Sequence, residues 1–224
     1  MCERLTEGQK FRRSRERVTM NTMQLFSMAL AVIALVLTGA GSPSAQSASS
    51  RAVGAVTAAV RIDLFSDFQC PACKALHEQT VKRIKEAYAR QGKVRLIHHD
   101  FPLPQHTFAR QAATLASAAD RLGKFDAVAD ALFLQQESWS KTGNVDAVVD
   151  SVLTPEERKK LREIAKDPAI AAAIDRDIEL GKRMQVSSTP TMIITHNGSP
   201  SPIVGVVTYS VVSRYLDSLL APKK

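Results

Sequence analysis

The segment Cys70-Pro71-Ala72-Cys73 constrains this chain more than any other feature. It lies between an apolar strand-like run, residues 58–65, and a helix-like run, residues 74–88. The chain has three cysteines, and the third, Cys2, precedes a leader-like stretch. Two thiols with two residues between them can close a small-ring disulfide and reopen it, which is the chemistry of thiol–disulfide exchange. A thiolate performs that attack, and a free cysteine with a pKa of about 8.5 is mostly protonated at neutral pH. Cys70 stands where a helix begins, and there unpaired N–H groups and the positive end of the helix dipole favour a negative sulfur. Pro71 suits the first turn, where its missing N–H has no helical partner to lose. This arrangement predicts attack through a more exposed Cys70 and resolution by a Cys73 shielded by the helix.

Rival readings of the pair stay open at this level. A structural zinc site needs four ligands, and Cys70, Cys73 and His77 are spaced for three, with His98 or His99 as a fourth. A c-type haem would need histidine directly after Cys73, where Lys74 stands. An inert disulfide across so small a ring would constrain little chain. Taken singly, His77 reads as a helix-surface residue and Trp139 as a packing residue. His98 and His99 alternate across a strand, so at most one faces the cysteines.

With 224 residues, 45% of them hydrophobic, the chain has room for one ordinary domain with a real core. Its net charge of +8 is partly concentrated in the first twenty residues, and the remainder reads as a solvated surface with no nucleic-acid patch. Leu25 to Leu37 is nearly all apolar, follows basic residues and precedes small ones, which makes residues 1–45 a secretory signal or a signal anchor. The run is short for a bilayer span of about 20 residues. Met20 or Met23 would be a more typical start. Export implies an oxidising compartment, the periplasm or cell envelope, where a disulfide persists. Residues 46–55 read as a linker.

Residues 60–65 suit a buried strand, and Leu76, Val81, Ile84 and Tyr88 share a face of the following helix. Residues 93–99 suit a second strand, which Phe101-Pro-Leu-Pro104 ends. Helical stretches follow at 106–122 and 124–137. Thr154-Pro155-Glu156-Glu157 and Asp167-Pro168 are two further helix starts. Thr191 to Thr195 and Pro202 to Val204 read as a hairpin joined through His196-Asn197-Gly198. Residues 209–220 close the chain as an amphipathic helix. The order is strand, helix, strand, helical block, hairpin, helix, which predicts an α/β domain with a four-stranded sheet. No heptad pattern marks a dimerisation module, so a monomer is expected.

Phe65-Ser66-Asp67-Phe68-Gln69-Cys70-Pro71-Ala72-Cys73 resembles the active-site segment of the DsbA-like thiol–disulfide oxidoreductases, a branch of the thioredoxin fold. Arg95 to Pro104, Val186 to Thr191 and Gly205 to Leu220 are similar to that branch's second strand and turn, its cis-proline loop and its last strand and helix. The resemblance implies a thioredoxin fold over residues 56–222, with a helical insertion at about 105–185 between the βαβ unit and the hairpin–helix. It implies Cys70 and Cys73 as the catalytic redox disulfide, and a cis Pro190 facing them. Thr189, Pro190, Pro71, Ala72 and Phe68 would form the substrate surface, with no cofactor and no metal. Reduced or misoxidised secreted proteins would be the substrates and a membrane redox partner would recycle the pair, an oxidase role being favoured over reductase or isomerase.

Two departures from that pattern stand out. The acidic residue often found six positions before the first cysteine is Leu64 here, and the adjacent Asp63 belongs to the opposite strand face. Water or Asp67 would have to supply the proton route. Ala72 replaces the histidine of strongly oxidising members, and Thr189 matches isomerase-like members, so a less oxidising couple is expected. The alternatives are a zinc- or copper-binding thiol protein on the same fold and a non-catalytic peptide-binding module.

Overall fold

The computed structural model describes residues 51–222. The signal or anchor expected at residues 1–45 lies outside the described residues. Five strands form one sheet: β1 (Ala52–Val53), β2 (Val60–Ser66), β3 (Val94–Asp100), β4 (Thr191–His196) and β5 (Ser199–Val204), in the order β1-β3-β2-β4-β5. β2 is central. It pairs in parallel with β3, placing Leu64 opposite His98, and antiparallel with β4, placing Leu64 opposite Met192. A parallel neighbour requires a crossover, and the helix that starts at the Cys pair supplies it.

That helix, α1, spans residues 71–89 and departs from a plain α-helix. It is α-helical at Pro71–Leu76 and Lys82–Ile84 and makes π turns at His77–Val81 and Lys85–Ala89. The five-residue step from Leu76 to Val81 does not return to one face of an α-helix. A wider π turn brings both into the same buried cluster as Ile84 and Tyr88. That cluster joins Val60, Ile62 and Leu64 of β2 to Val212 and Leu216 of the last helix, α8 (Tyr209–Leu220).

Between β3 and β4 lie six helices: α2 (Ala109–Asp120), α3 (Phe125–Leu134), α4 (Gln136–Thr142), α5 (Val145–Asp150), α6 (Pro155–Ala165) and α7 (Pro168–Arg183). Leu132, Trp139, Val149, Leu161 and Ile174 are fully buried in their shared core. The capping box expected at Thr154 forms, with Glu157 N–H donating to Thr154 Oγ1 at 3.3 Å and Thr154 N–H to Glu157 Oε2 at 3.0 Å. The helix expected over 124–137 is instead broken at Gln135, and the Trp139 indole N–H donates to the Leu132 carbonyl at 2.7 Å across the break.

α7 crosses the other face of the sheet. Gly181 makes the approach possible, because a Cβ there would stand 2.5 Å from the Phe101 ring and 3.2 Å from Phe65. Beside this contact runs a buried ion network. Arg51 meets Asp100 at 2.9 Å and Asp177 at 2.6 Å, and His99 bridges Asp177 and Asp63 at 2.9 Å each.

Two sheet expectations need correction. The sheet has five strands, not four, because Ala52–Val53, inside the expected linker, pairs antiparallel with Ile97 and Leu96. A two-residue edge strand is too short to show a hydrophobic alternation. β5 also begins three residues earlier than expected, at Ser199. Asn197 and Gly198, at φ 50° and 77°, make the two-residue turn. Pro200 and Pro202 then fall opposite Thr195 and Ile193, at the non-hydrogen-bonded positions of an edge strand, so their missing N–H groups cost the ladder nothing.

Candidate active site

β2 ends at Ser66, and the chain turns through residues 67–69 into α1. Cys70 is the N-cap residue and Pro71 occupies the first turn; the Cys73 and Lys74 N–H groups both donate to the Cys70 carbonyl, at 3.0 and 3.2 Å. Both cysteines are free thiols. Cys70 is 7% exposed and Cys73 1%, so the first sulfur is the accessible one.

Their surroundings push the two thiols in opposite directions. The hydrogen bond from the Cys73 thiol, against the opposing effect of burial and aided by the Cys73 backbone N–H, brings Cys70 down to about 5. Burial, and then the need to donate to Cys70, pushes the Cys73 thiol up. The Asp67 N–H donates to Cys73 Sγ at 3.4 Å. One sulfur is thus a thiolate at neutral pH and the other holds its proton, as an attacking and a resolving thiol require.

Facing Cys70 is the loop before β4. The Thr189–Pro190 peptide bond is cis, and as a thiol Cys70 donates to the Thr189 carbonyl at 3.5 Å. Pro190 carries its own carbonyl to the Gly205 N–H, at 2.8 Å. Of the expected substrate-surface residues, Pro71 is exposed and Ala72 half-buried. Phe68 does not belong with them. It is 1% exposed, packed against Phe133 at 5.0 Å and His98 at 5.5 Å between ring centroids, and so serves the insertion core.

The helical insertion holds the active-site loop. Buried Gln136 donates from Nε2 to the carbonyls of Phe68 at 2.7 Å and Cys70 at 3.0 Å. Gln69 accepts the Phe108 N–H at 2.8 Å and donates to the Ser140 carbonyl at 3.3 Å. These partners lie some forty to seventy positions apart in sequence, beyond any periodic pattern. The one available signal was a polar residue, Gln136, just after the apolar run of α3.

Two expectations around the pair change. Asp67 does not offer its carboxylate to Cys73: Oδ1 accepts the Gln69 N–H at 2.7 Å, and Oδ2 accepts the Leu103 N–H at 2.8 Å and bonds His106 Nδ1 at 2.7 Å. His77 is buried, not a surface residue, with Nε2 2.7 Å from Asp130 and its ring 4.6 Å from Phe133. That commits it to Asp130, and among the described residues no group of three or more His, Cys, Asp or Glu is placed to hold a metal ion. His98 and His99 do part across β3, His98 stacking on Phe68 and His99 on Phe65 at 4.8 Å. Beside Leu64 lies a cavity of about 20 Å³, lined in part by Arg51, His77, Leu96 and His98.

A family model described as Thioredoxin matches residues 46–215. The chain belongs to the thioredoxin family. It is 22% identical over 156 residues to a Bacillus cereus protein named "Probable disulfide bond formation protein D", covering 66% of this chain and 70% of that one. The fold matches that of Pseudomonas aeruginosa DsbA2 with a TM-score of 0.62 at 25% identity, covering 77% of this chain and 94% of that one. It also matches Wolbachia pipientis alpha-DsbA1, with a TM-score of 0.63 at 19% identity over 76% and 90% of the two chains.

Proposed function

We propose that this chain is an exported protein thiol–disulfide oxidoreductase that works as an oxidase. The observation that carries the reading is the opposed pair at one helix start: a Cys70 lowered to about 5 and a buried Cys73 whose thiol is pushed up, with the Thr189–Pro190 loop across from them. In the oxidised form, a substrate thiolate attacks Cys70 Sγ. The Cys70–Cys73 bond breaks, Cys73 leaves with the electron pair and takes a proton, and a substrate–Cys70 mixed disulfide forms. The substrate's second thiolate then attacks its own sulfur in that bond, and Cys70 leaves as the stabilised thiolate. The substrate has lost two electrons and the Cys pair has gained them. A membrane redox partner would reoxidise the pair.

Support for export comes from the basic, apolar and small-residue order of residues 1–45 and from the disulfide chemistry itself. Among the described residues, no helix is long and apolar enough to cross a membrane. Refolding of a reduced, disulfide-containing protein tests the reading. Cys70→Ser should abolish turnover, and Cys73→Ser should accumulate mixed disulfides visible on non-reducing gels. Undiminished turnover in the Cys70→Ser protein would end this account.

A further inference from the structure

Asp67 is the hub of the active-site loop, and its side chain reaches away from the sulfurs. Its N–H donates to Cys73 Sγ at 3.4 Å and its carbonyl accepts the Cys70 N–H at 3.1 Å. Its carboxylate is wholly buried, and three donors hold it: the Gln69 N–H, the Leu103 N–H and His106 Nδ1. Two of these are backbone groups of the loops themselves. His106 is the one side chain in the set, and 20% of it remains exposed. It lines an open groove of about 460 Å³ between the 101–107 loop and α7, together with Phe101, Leu103, Arg110, Ile178 and Lys182.

We propose that His106 is a positioning residue for the redox pair: by fixing the Asp67 carboxylate, it holds the Asp67 N–H against Cys73 Sγ and so sets how strongly the reduced pair is favoured. A buried carboxylate must be fully hydrogen-bonded, so the rotamer of Asp67, and with it the peptide carrying that N–H, follows the donors that satisfy it. In the reduced pair the N–H donates to Cys73 Sγ while the Cys73 thiol donates to the Cys70 thiolate, so the N–H strengthens the hydrogen bond that holds the reduced form. Removing the Nδ1 donor frees the carboxylate to turn toward water in the groove and loosens the N–H contact. The reduced form then loses stabilisation and the disulfide becomes the harder bond to open. No other side chain links the groove to the cysteines through a single intervening residue among the contacts of Asp67.

The inference rests on the oxidoreductase reading, and one experiment separates the two. The equilibrium of the Cys70–Cys73 pair with reduced and oxidised glutathione is measured for the wild type, His106→Leu and His106→Asn. Leu and Asn have nearly the same shape, but only Asn presents a donor where Nδ1 stands. One net hydrogen bond is worth about 0.5–1.5 kcal/mol, so His106→Leu should shift the equilibrium constant about two- to twelvefold toward the disulfide. His106→Asn should stay near the wild-type value. His106→Ala replaces the Leu variant if that protein does not fold. Wild-type constants in both variants, or equal shifts in both, would overturn the positioning role. A wild-type pair that does not exchange with glutathione at all would overturn the oxidoreductase reading and the positioning role with it.

Discussion

Cys70 Sγ lies 3.5 Å from the carbonyl oxygen of Thr189, a residue 119 positions later in the chain. The contact brings the start of α1, and with it the more accessible of the two sulfurs, against the loop that leads into β4.

Cys70 should alkylate as a thiolate across the neutral range. Its pKa, lowered to about 5 by the Cys73 thiol and backbone N–H against the effect of burial, predicts that its iodoacetamide reaction in the reduced protein rises with a midpoint near pH 5 and is flat by pH 7. Cys73 should stay unmodified. Because the folded pKa is depressed below the unfolded value of about 8.5, the stabilisation of the reduced protein is complete above pH 8.5 and is lost as the pH falls through 5. A midpoint near pH 8 would remove the electrostatic basis of the site.

Ala72→His should raise the reduction potential and lower the Cys70 pKa together. A histidine at this position adds a charged donor to the thiolate, worth roughly 1.5–3 kcal/mol, and about 30 mV corresponds to 1.4 kcal/mol for this two-electron couple. The unmodified protein should lie below the roughly −120 mV of DsbA and above the roughly −270 mV of thioredoxin. Glutathione equilibration checks both values.

Gln136→Ala should destabilise the protein by about 1–3 kcal/mol in urea unfolding and slow its turnover. The change strands two buried carbonyls, of Phe68 and Cys70, that Gln136 now satisfies at 2.7 and 3.0 Å. An unchanged unfolding midpoint would show that water replaces the amide without cost.

Stability should fall as the pH rises above neutrality, and His99 should be responsible. Burial by itself would depress its pKa, but the hydrogen bonds to Asp177 and Asp63 outweigh burial and hold it above the ordinary value. Arg51 and Asp100, on the Asp177 side, and Arg61, paired with Asp63 at 2.7 Å, complete the charges around it. A raised folded pKa contributes stability that is complete below the unfolded value of about 6.5 and disappears as the pH climbs through the folded pKa. Urea unfolding from pH 5.5 to 9 should show this slope, and His99→Gln should flatten it. An equal slope in the variant would assign it elsewhere.

Local sequence determined the elements that carry the chemistry. The alternation of Val60 to Phe65, the Pro71 first turn, the Thr154 and Asp167 caps and the Asn197-Gly198 turn each act within a few residues, so their signals are complete in one short window. The Cys pair is equally local. The tertiary structure decided what no window contains. It placed Gln136, His106 and Gln69 around the 67–70 loop, sent the Asp67 carboxylate away from Cys73, buried His77 and Phe68, and drew Arg51 and the Ala52–Val53 strand into the fold. These outcomes depend on which buried polar group finds which partner across the folded chain. That is settled by the cost of leaving a buried donor or acceptor unpaired, and it applies only once packing has brought distant residues together.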